Sequence, residues 1–121
     1  MALTALPTVG IAGIGLYIPE PIVTGAEIAA RTGLPEFVVR DKMGIQQVHV
    51  AGQDDTITAM SVRAAERALA DAELDAKDLD LIIYHGSEYK DHIVWSAASK
   101  IQNDLGATNA YAFEMYALCA G

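Results

Sequence analysis

The chain has 121 residues, a formal net charge of -8 and a hydrophobic content of 52%. This size permits one domain with its own core, and the composition excludes a disordered chain. Nucleic-acid binding requires clustered Lys and Arg, so an acidic chain with eight scattered basic residues is not expected to bind DNA or RNA. The single cysteine excludes an internal disulfide and fits a reducing compartment, so we expect a cytoplasmic protein.

The N-terminal region is apolar, but it is not expected to act as a signal peptide or a membrane span. No Lys or Arg precedes Arg31, and Pro7, Pro19 and Pro21 interrupt the apolar run. Residues 9–18 are rich in β-branched residues and glycine, which predicts a buried strand. Their glycines lack the spacing of a dinucleotide-binding loop, which would also have to open a helix where the prolines stand.

Two short helices and a strand are predicted next. Thr24 and Glu27 form a capping-box pattern, and Gly33 is the expected end of that helix. Residues 35–44 begin with proline and stop at glycine, as a second helix would. Residues 45–50 are expected to form a short strand.

A longer helix is predicted by apolar residues that recur at helical spacing between residues 56 and 72. The opposite face of this helix carries Arg63, Glu66 and Arg67, and we expect that face to be solvated.

Three further elements complete the pattern. Residues 79–86 show almost no polar alternation, which is typical of a central strand covered on both faces. Residues 96–106 predict a helix, and residues 109–118 predict a last strand that leads to Cys119. Strands separated by helices favour a layered α/β fold, and we expect a single domain over residues 1–121.

Cys119 is the side chain that points most clearly to chemistry. A free cysteine is most often a small buried hydrophobe. At a turn from a strand into a helix, however, unpaired backbone N–H groups and the positive helix end favour the thiolate. Ala120 and Gly121 leave room for a substrate carbonyl, and the backbone N–H of Cys119 is suited to an oxyanion. These features alone do not identify a reaction.

The whole chain resembles the condensing enzymes of the thiolase superfamily, most closely the β-ketoacyl-acyl-carrier-protein synthase III group. The resemblance rests, in this order, on "GIGLYIPEPIVT", "KMGIQQVHVAGQDDTITAMSVRAAERAL", "LDLIIYHGSEYKD", "SAASKIQNDLGA" and "CAG". It implies a thiolase-like fold, layered α/β/α with a mixed sheet, and a nucleophilic Cys119. That residue would take an acyl group from acyl-CoA and condense it with a second thioester-bound unit. Acyl-CoA is then a substrate, no cofactor or metal is expected, and an acyl carrier protein is a candidate partner.

The resemblance also implies that these residues are one part of an enzyme. The group completes its site with a His and an Asn from the second half of the chain, and His49, His85 and His92 do not match that motif. We therefore expect residues 1–121 to be the N-terminal half of a homodimeric enzyme, ending just after Cys119. A non-catalytic half-domain that only assembles with a partner chain is the alternative for this piece.

Glu88 is a second candidate catalytic residue. It lies where the related hydroxymethylglutaryl-CoA synthases have a catalytic glutamate, and "FEM" before the cysteine is also similar to that branch. A hydroxymethylglutaryl-CoA synthase-like reaction with Glu88 as general acid/base is therefore an alternative function. A solvated loop carboxylate near Lys90 is the structural alternative.

Two further sites follow from the same resemblance. Phe37 and Arg40 lie where synthase III has a Trp and an Arg that hold the adenine of CoA, with a spacing to "MGI" that is one residue longer. Phe37 is alternatively part of a helix core. Val94 and Trp95 lie where the group has an apolar residue that reaches the partner subunit, so Trp95 is a candidate interface residue, with core packing as the alternative.

Overall fold

The computed structural model describes residues 9–86, 90–117 and 119. The elements, in chain order, are β1 (Ile22–Thr24), α1 (Gly25–Thr32), a π-helical turn (Val38–Lys42), β2 (Gln47–His49), α2 (Ile57–Ala72), a 3₁₀ turn (Ala76–Asp78), β3 (Leu81–His85), α3 (Ala97–Leu105) and β4 (Tyr111–Met115). The α/β class expected from the sequence is confirmed, because helices and strands alternate along the chain.

The described strands form two separate two-stranded sheets. β1 pairs with β2 in antiparallel orientation, with Ile22 opposite His49. β3 pairs with β4 in parallel orientation, with Leu81 opposite Tyr111. A parallel pair needs a long crossover connection, and α3 supplies it while packing on both strands.

Local capping determines where the helices begin and end. Thr24 Oγ1 accepts a hydrogen bond from Glu27 N at 3.2 Å, and Glu27 Oε2 accepts one from Thr24 N at 2.8 Å, which confirms the predicted capping box. α1 ends at Gly33 and α3 at Gly106, with φ angles of 74° and 71°. Glycine adopts this left-handed conformation without a steric penalty, so both predicted stops are confirmed.

Residues 9–18 do not form the predicted strand. They lie along α2 and belong to neither of the described sheets. A Cβ atom at Gly15 would lie 2.1 Å from the Ala64 carbonyl oxygen and 2.3 Å from the Ala68 backbone nitrogen. The glycine therefore permits direct contact between the backbone of this segment and the helix, and the β-branched residues beside it did not reveal this.

Tyr17 fastens the same segment to α2. Its hydroxyl group donates to Asp55 Oδ1 at 2.7 Å and accepts from Arg63 Nη1 at 2.9 Å. The guanidinium carbons of Arg63 and Arg67 lie 4.8 and 5.4 Å from the centre of the Tyr17 ring, which is the range of cation–π attraction. Glu66 and Arg67 are exposed, as predicted for this face, and Arg63 is half-buried. The sequence did not reveal that both arginines also contact the neighbouring segment.

Burial is concentrated around α3. Its residues Ala97, Ala98 and Ile101 are buried, and so are Ala107 and Ala110 in the connection to β4. These mostly small side chains let the helix lie close to both α2 and the β3–β4 sheet.

Within the part of the chain that the structure describes, the β3–β4 sheet is covered on one face only. α3 packs on the face that carries Ile82 and Glu114. The other face exposes large apolar side chains by 41% to 82% of their area: Leu81, Ile83, Tyr111, Phe113 and Met115. The prediction that residues 79–86 are covered on both faces was therefore wrong for the described part of the chain. An apolar face of this extent is typical of a surface that contacts other protein.

Replacing Gly15 with Ala is expected to lower the free energy of unfolding by about 1–3 kcal/mol, because the added methyl group must displace the backbone of α2. Gly10→Ala is the matched control, since a Cβ atom there meets no atom within 4 Å. Its expected effect is within about 0.5 kcal/mol. Urea denaturation, monitored by far-ultraviolet circular dichroism, measures the stability of both variants. Equal stabilities would contradict the close contact between Gly15 and α2.

Candidate functional site

Cys119 is a free, exposed thiol that follows β4. Among the described residues, Cys119 is therefore not the small buried hydrophobe of the alternative interpretation. Ala120 and Gly121, which were expected to leave room for a substrate, lie outside the described residues. Glu88, the second candidate catalytic residue, also lies outside them. The roles of Cys119 and Glu88 in a reaction stay predictions.

A largely buried ion pair lies close to the strand that leads to Cys119. Lys90 Nζ donates to the carboxylate of Glu114, and the two side chains are 17% and 13% exposed. Glu114 also accepts from Ala98 N at 3.3 Å, at the N-terminus of α3. The hydrogen bond to Glu114 raises the pKa of Lys90 above its ordinary value, against the effect of burial. Burial alone would raise the pKa of Glu114, but hydrogen bonds from Lys90 and the α3 backbone outweigh it and hold that pKa below its ordinary value.

Lys90 makes two further contacts. Its Nζ donates to the Trp95 carbonyl oxygen at 3.1 Å and lies 5.0 Å from the centre of the Tyr116 ring. Sequence reasoning missed the pairing of Lys90 with Glu114. The period-two alternation of β4 could have revealed it, because that alternation puts Glu114 on the covered face of the sheet.

Asp91, the next residue, caps the N-terminus of α2, although it lies 34 residues after Ile57 in the sequence. Its Oδ1 accepts from Ile57 N at 3.0 Å, and its Oδ2 accepts from the hydroxyl group of Thr58, which is 4% exposed. Burial alone would raise the pKa of Asp91, but these hydrogen bonds outweigh it and hold the pKa below its ordinary value. A carboxylate at this place also interacts favourably with the helix dipole.

Trp95 packs within the chain. Its ring meets the His92 ring edge-on, with 5.0 Å between centroids and an interplanar angle of 88°. Both rings line a cavity of about 590 Å³ beside the N-terminus of α2. Ile93 and Val94, the residues between them, are 92% and 99% exposed. The interface role of Trp95 stays a prediction, and the exposed apolar side chains between residues 90 and 95 are those of Ile93 and Val94.

Phe37 and Arg40 line one cleft of about 430 Å³ at the π-helical turn, together with Glu36 and Asp41. Phe37 is 56% exposed, so the helix-core alternative is wrong. Arg40 Nη1 pairs with Glu36 Oε1 at 3.0 Å, and Arg40 Nε donates to Gln46 Oε1 at 3.2 Å. An aromatic face and a guanidinium group thus adjoin in a cleft of mixed charge, and contact with CoA stays a prediction.

Metal and membrane features were also sought in residues 9–86, 90–117 and 119. No group of three or more His, Cys, Asp or Glu side chains among them could hold a metal ion. None of the helices described is long and apolar enough to cross a membrane. His49 has a structural contact, because its Nδ1 lies 2.6 Å from the Pro19 carbonyl oxygen and so ties β2 to the preceding segment.

The chain is similar in sequence and fold to known condensing enzymes, although no protein-family model matches it. It is 38% identical over 109 residues to the β-ketoacyl-[acyl-carrier-protein] synthase III of Rhodobacter capsulatus, which covers 90% of this chain and 33% of the relative. The priming β-ketosynthase of the R1128 polyketide biosynthetic pathway matches with a TM-score of 0.84 and 31% identity, over 92% of this chain and 33% of that one. The synthase III of Aquifex aeolicus VF5 matches with a TM-score of 0.79 and 32% identity, over 92% of this chain and 35% of that one.

The chain thus spans about a third of the length of the curated relatives it matches. Over that part, the expected resemblance to synthase III and the expected thiolase-like fold are confirmed.

Acid is expected to destabilise the chain through Asp91. Its pKa is lower in the folded than in the unfolded chain. Its contribution is therefore complete above the unfolded value of about 4 and is lost as the pH falls through the folded value. Asp91→Asn should lower the free energy of unfolding at about pH 7 and flatten its decline below about pH 5. The exposed Asp54→Asn is the control, and urea denaturation over a pH series is the measurement. A decline as steep in Asp91→Asn as in the wild type would contradict the expectation.

Proposed function

We propose that this chain supplies the N-terminal part of a condensing acyltransferase of the β-ketoacyl-acyl-carrier-protein synthase III type. The observation that carries the proposal is an exposed Cys119 after β4, in a chain similar to such synthases over 90% of its length. The relatives act with an acyl carrier protein according to their names, and we extend that partner, with acyl-CoA as first substrate, to this protein.

The proposed reaction has two steps at the same sulfur atom. The Cys119 thiolate attacks the carbonyl carbon of acyl-CoA, and the tetrahedral intermediate expels the CoA thiolate, which leaves the acyl group as a thioester on Sγ. A second thioester-bound unit then loses carbon dioxide, and its carbanion attacks the acyl carbonyl carbon. A carbon–carbon bond forms and the Cys119 thiolate leaves. The backbone N–H of Cys119 is suited to hold the oxyanion in both steps.

The exposed face of the β3–β4 sheet supports the proposal that a further segment completes the enzyme. Its five large apolar side chains would gain about 25 cal/mol for each Å² removed from water. The relatives, of which the chain spans about a third, are long enough to supply a cover. The same further segment would carry the His and Asn that the resemblance implies. Residues 1–121 alone are then a half-domain without condensing activity.

We place a dimer contact of the proposed enzyme at the loop that carries Val94. This residue has a φ angle of 53°, in the left-handed region, which costs a β-branched residue about 1–3 kcal/mol. Val94 is also 99% exposed. The strained backbone of Val94 and its exposed apolar side chain together support a homodimer in which Val94 packs on the partner. A cytoplasmic location is proposed with it, since a free thiol fits a reducing compartment.

Incubation of the full-length gene product with acetyl-CoA is expected to add the mass of one acetyl group, because a single thiol is proposed to be acylated. Cys119→Ala should abolish the addition, and intact-mass spectrometry measures both. Residues 1–121 alone serve as the comparison and are expected to gain little or nothing. An acetyl group that persists in Cys119→Ala would contradict the assignment of the nucleophile.

Replacing Val94 with Asp is expected to weaken self-association at least about tenfold, which corresponds to about 1.4 kcal/mol, because a carboxylate would be buried at the contact. Leu34→Asp is the control, since Leu34 is also exposed but lies in the turn after α1. Sedimentation velocity over a range of protein concentrations gives both dissociation constants. A Val94→Asp variant that associates as tightly as Leu34→Asp would exclude this loop from the dimer contact.

A further inference from the structure

The loop that carries Val94 is taken as residues 90–95, and its first two residues, Lys90 and Asp91, have opposite charges. The geometry points to these two as positioning residues: they clamp the loop to the N-termini of α3 and α2, and so hold its Ile93–Val94 tip in place for contact with a second copy of the chain. The role at a second copy rests on the proposed dimer, whereas the clamp itself is a property of one chain.

Lys90 forms the first arm of the clamp. Its ammonium group is bound by Glu114, which in turn accepts from the backbone of Ala98 at 3.3 Å in the first turn of α3. The same ammonium group donates to the carbonyl oxygen of Trp95 at 3.1 Å. One cation thus joins both ends of the loop, residues 90 and 95, to a helix N-terminus. An ammonium group has three N–H donors, which is enough for the Glu114 carboxylate and the Trp95 carbonyl oxygen together.

Asp91 forms the second arm. The carboxylate takes up two donors at the start of α2, the backbone N–H of Ile57 and the hydroxyl group of Thr58. The first N–H groups of a helix have no partner within the helix, so this side chain satisfies a group that would otherwise need another acceptor. The loop is thereby bound to a second helix, independently of Lys90.

The clamp and the tip are separated by very few residues. His92 and Trp95 contact each other edge-on at 5.0 Å, on either side of Ile93 and Val94. The left-handed backbone of Val94 is unfavourable, and surrounding contacts are needed to maintain such a conformation. Lys90, Asp91 and the His92–Trp95 pair supply them, since all four residues lie within four positions of the tip and each makes one of these contacts.

The competing explanation is that the Lys90–Glu114 ion pair only adds stability. The clamp and this explanation differ in what they predict for the solvent exposure of Trp95 in the loop. Trp95 is the only tryptophan of residues 1–121, so in this piece its fluorescence reports on the loop alone. Lys90→Met removes the cation and Lys90→Arg keeps it. Lys77→Met is the matched control, since it removes an exposed lysine in the 3₁₀ turn (Ala76–Asp78), outside the cavity that Trp95 lines. Lys90→Met/Glu114→Met removes both charges and leaves no buried charge without a partner, so the fold is retained if the single variant does not fold.

The measurements are acrylamide quenching of Trp95 fluorescence, thermal unfolding and the dissociation constant of self-association. We expect Lys90→Met, or the double variant, to raise the quenching constant at least twofold and the dissociation constant at least tenfold. Asp91→Asn should change both in the same direction, Lys90→Arg should stay within twofold of the wild type, and Lys77→Met should change neither.

Wild-type quenching in a Lys90→Met variant of lowered melting temperature would overturn the clamp. So would an increase in quenching that Lys90→Arg does not reverse. Unchanged association in Lys90→Met, together with lost association in Val94→Asp, would overturn the positioning of the tip while leaving the dimer contact intact. If Val94→Asp has no effect on association, the proposed contact fails, and the quenching of Trp95 still decides whether the clamp holds the loop.

Discussion

Direct backbone contact with α2 is the constraint on which the arrangement of the chain depends. Gly13 and Gly15 allow the extended segment to lie against the alanine-rich face of this helix, where any side chain would collide with the helix backbone. The N–H of Ile14 donates to Asp71 at 3.0 Å, and Arg67 donates to the Leu16 carbonyl oxygen at 2.7 Å. The segment is therefore held along its length, and α2 serves as the support for both the extended segment and α3.

Three carboxylates of this chain accept hydrogen bonds from backbone N–H groups at the N-termini of helices. Glu27 caps α1 within the same turn, whereas Asp91 and Glu114 reach α2 and α3 from other parts of the chain. Each carboxylate has a lowered pKa, because hydrogen-bond donors stabilise the charged form. The two distant caps fix residues 90–95 and β4, the strand before Cys119, to the same pair of helices. β4, which precedes Cys119, and the exposed Ile93–Val94 tip thus share their supports.

The sequence predicted local features well because their causes are local. The capping box at Thr24 and the stops at Gly33 and Gly106 involve residues within one turn of each other, so spacing alone predicts them. Residues 9–18 were wrongly assigned to a strand, because β-branched residues favour extended backbone whether or not a partner strand exists. The same limit applies to Lys90, whose partner Glu114 lies 24 residues away.

The sequence by itself determined the alternation of helices and strands, the helix ends and the resemblance that singles out Cys119, since each depends on residue type and short spacing. Only the tertiary structure decided that Phe37 is exposed beside Arg40, that Trp95 packs inward and Val94 outward, and which sheet face is bare. Exposure is set by what the rest of the chain places against a side chain. The periodicity of one segment does not contain that information.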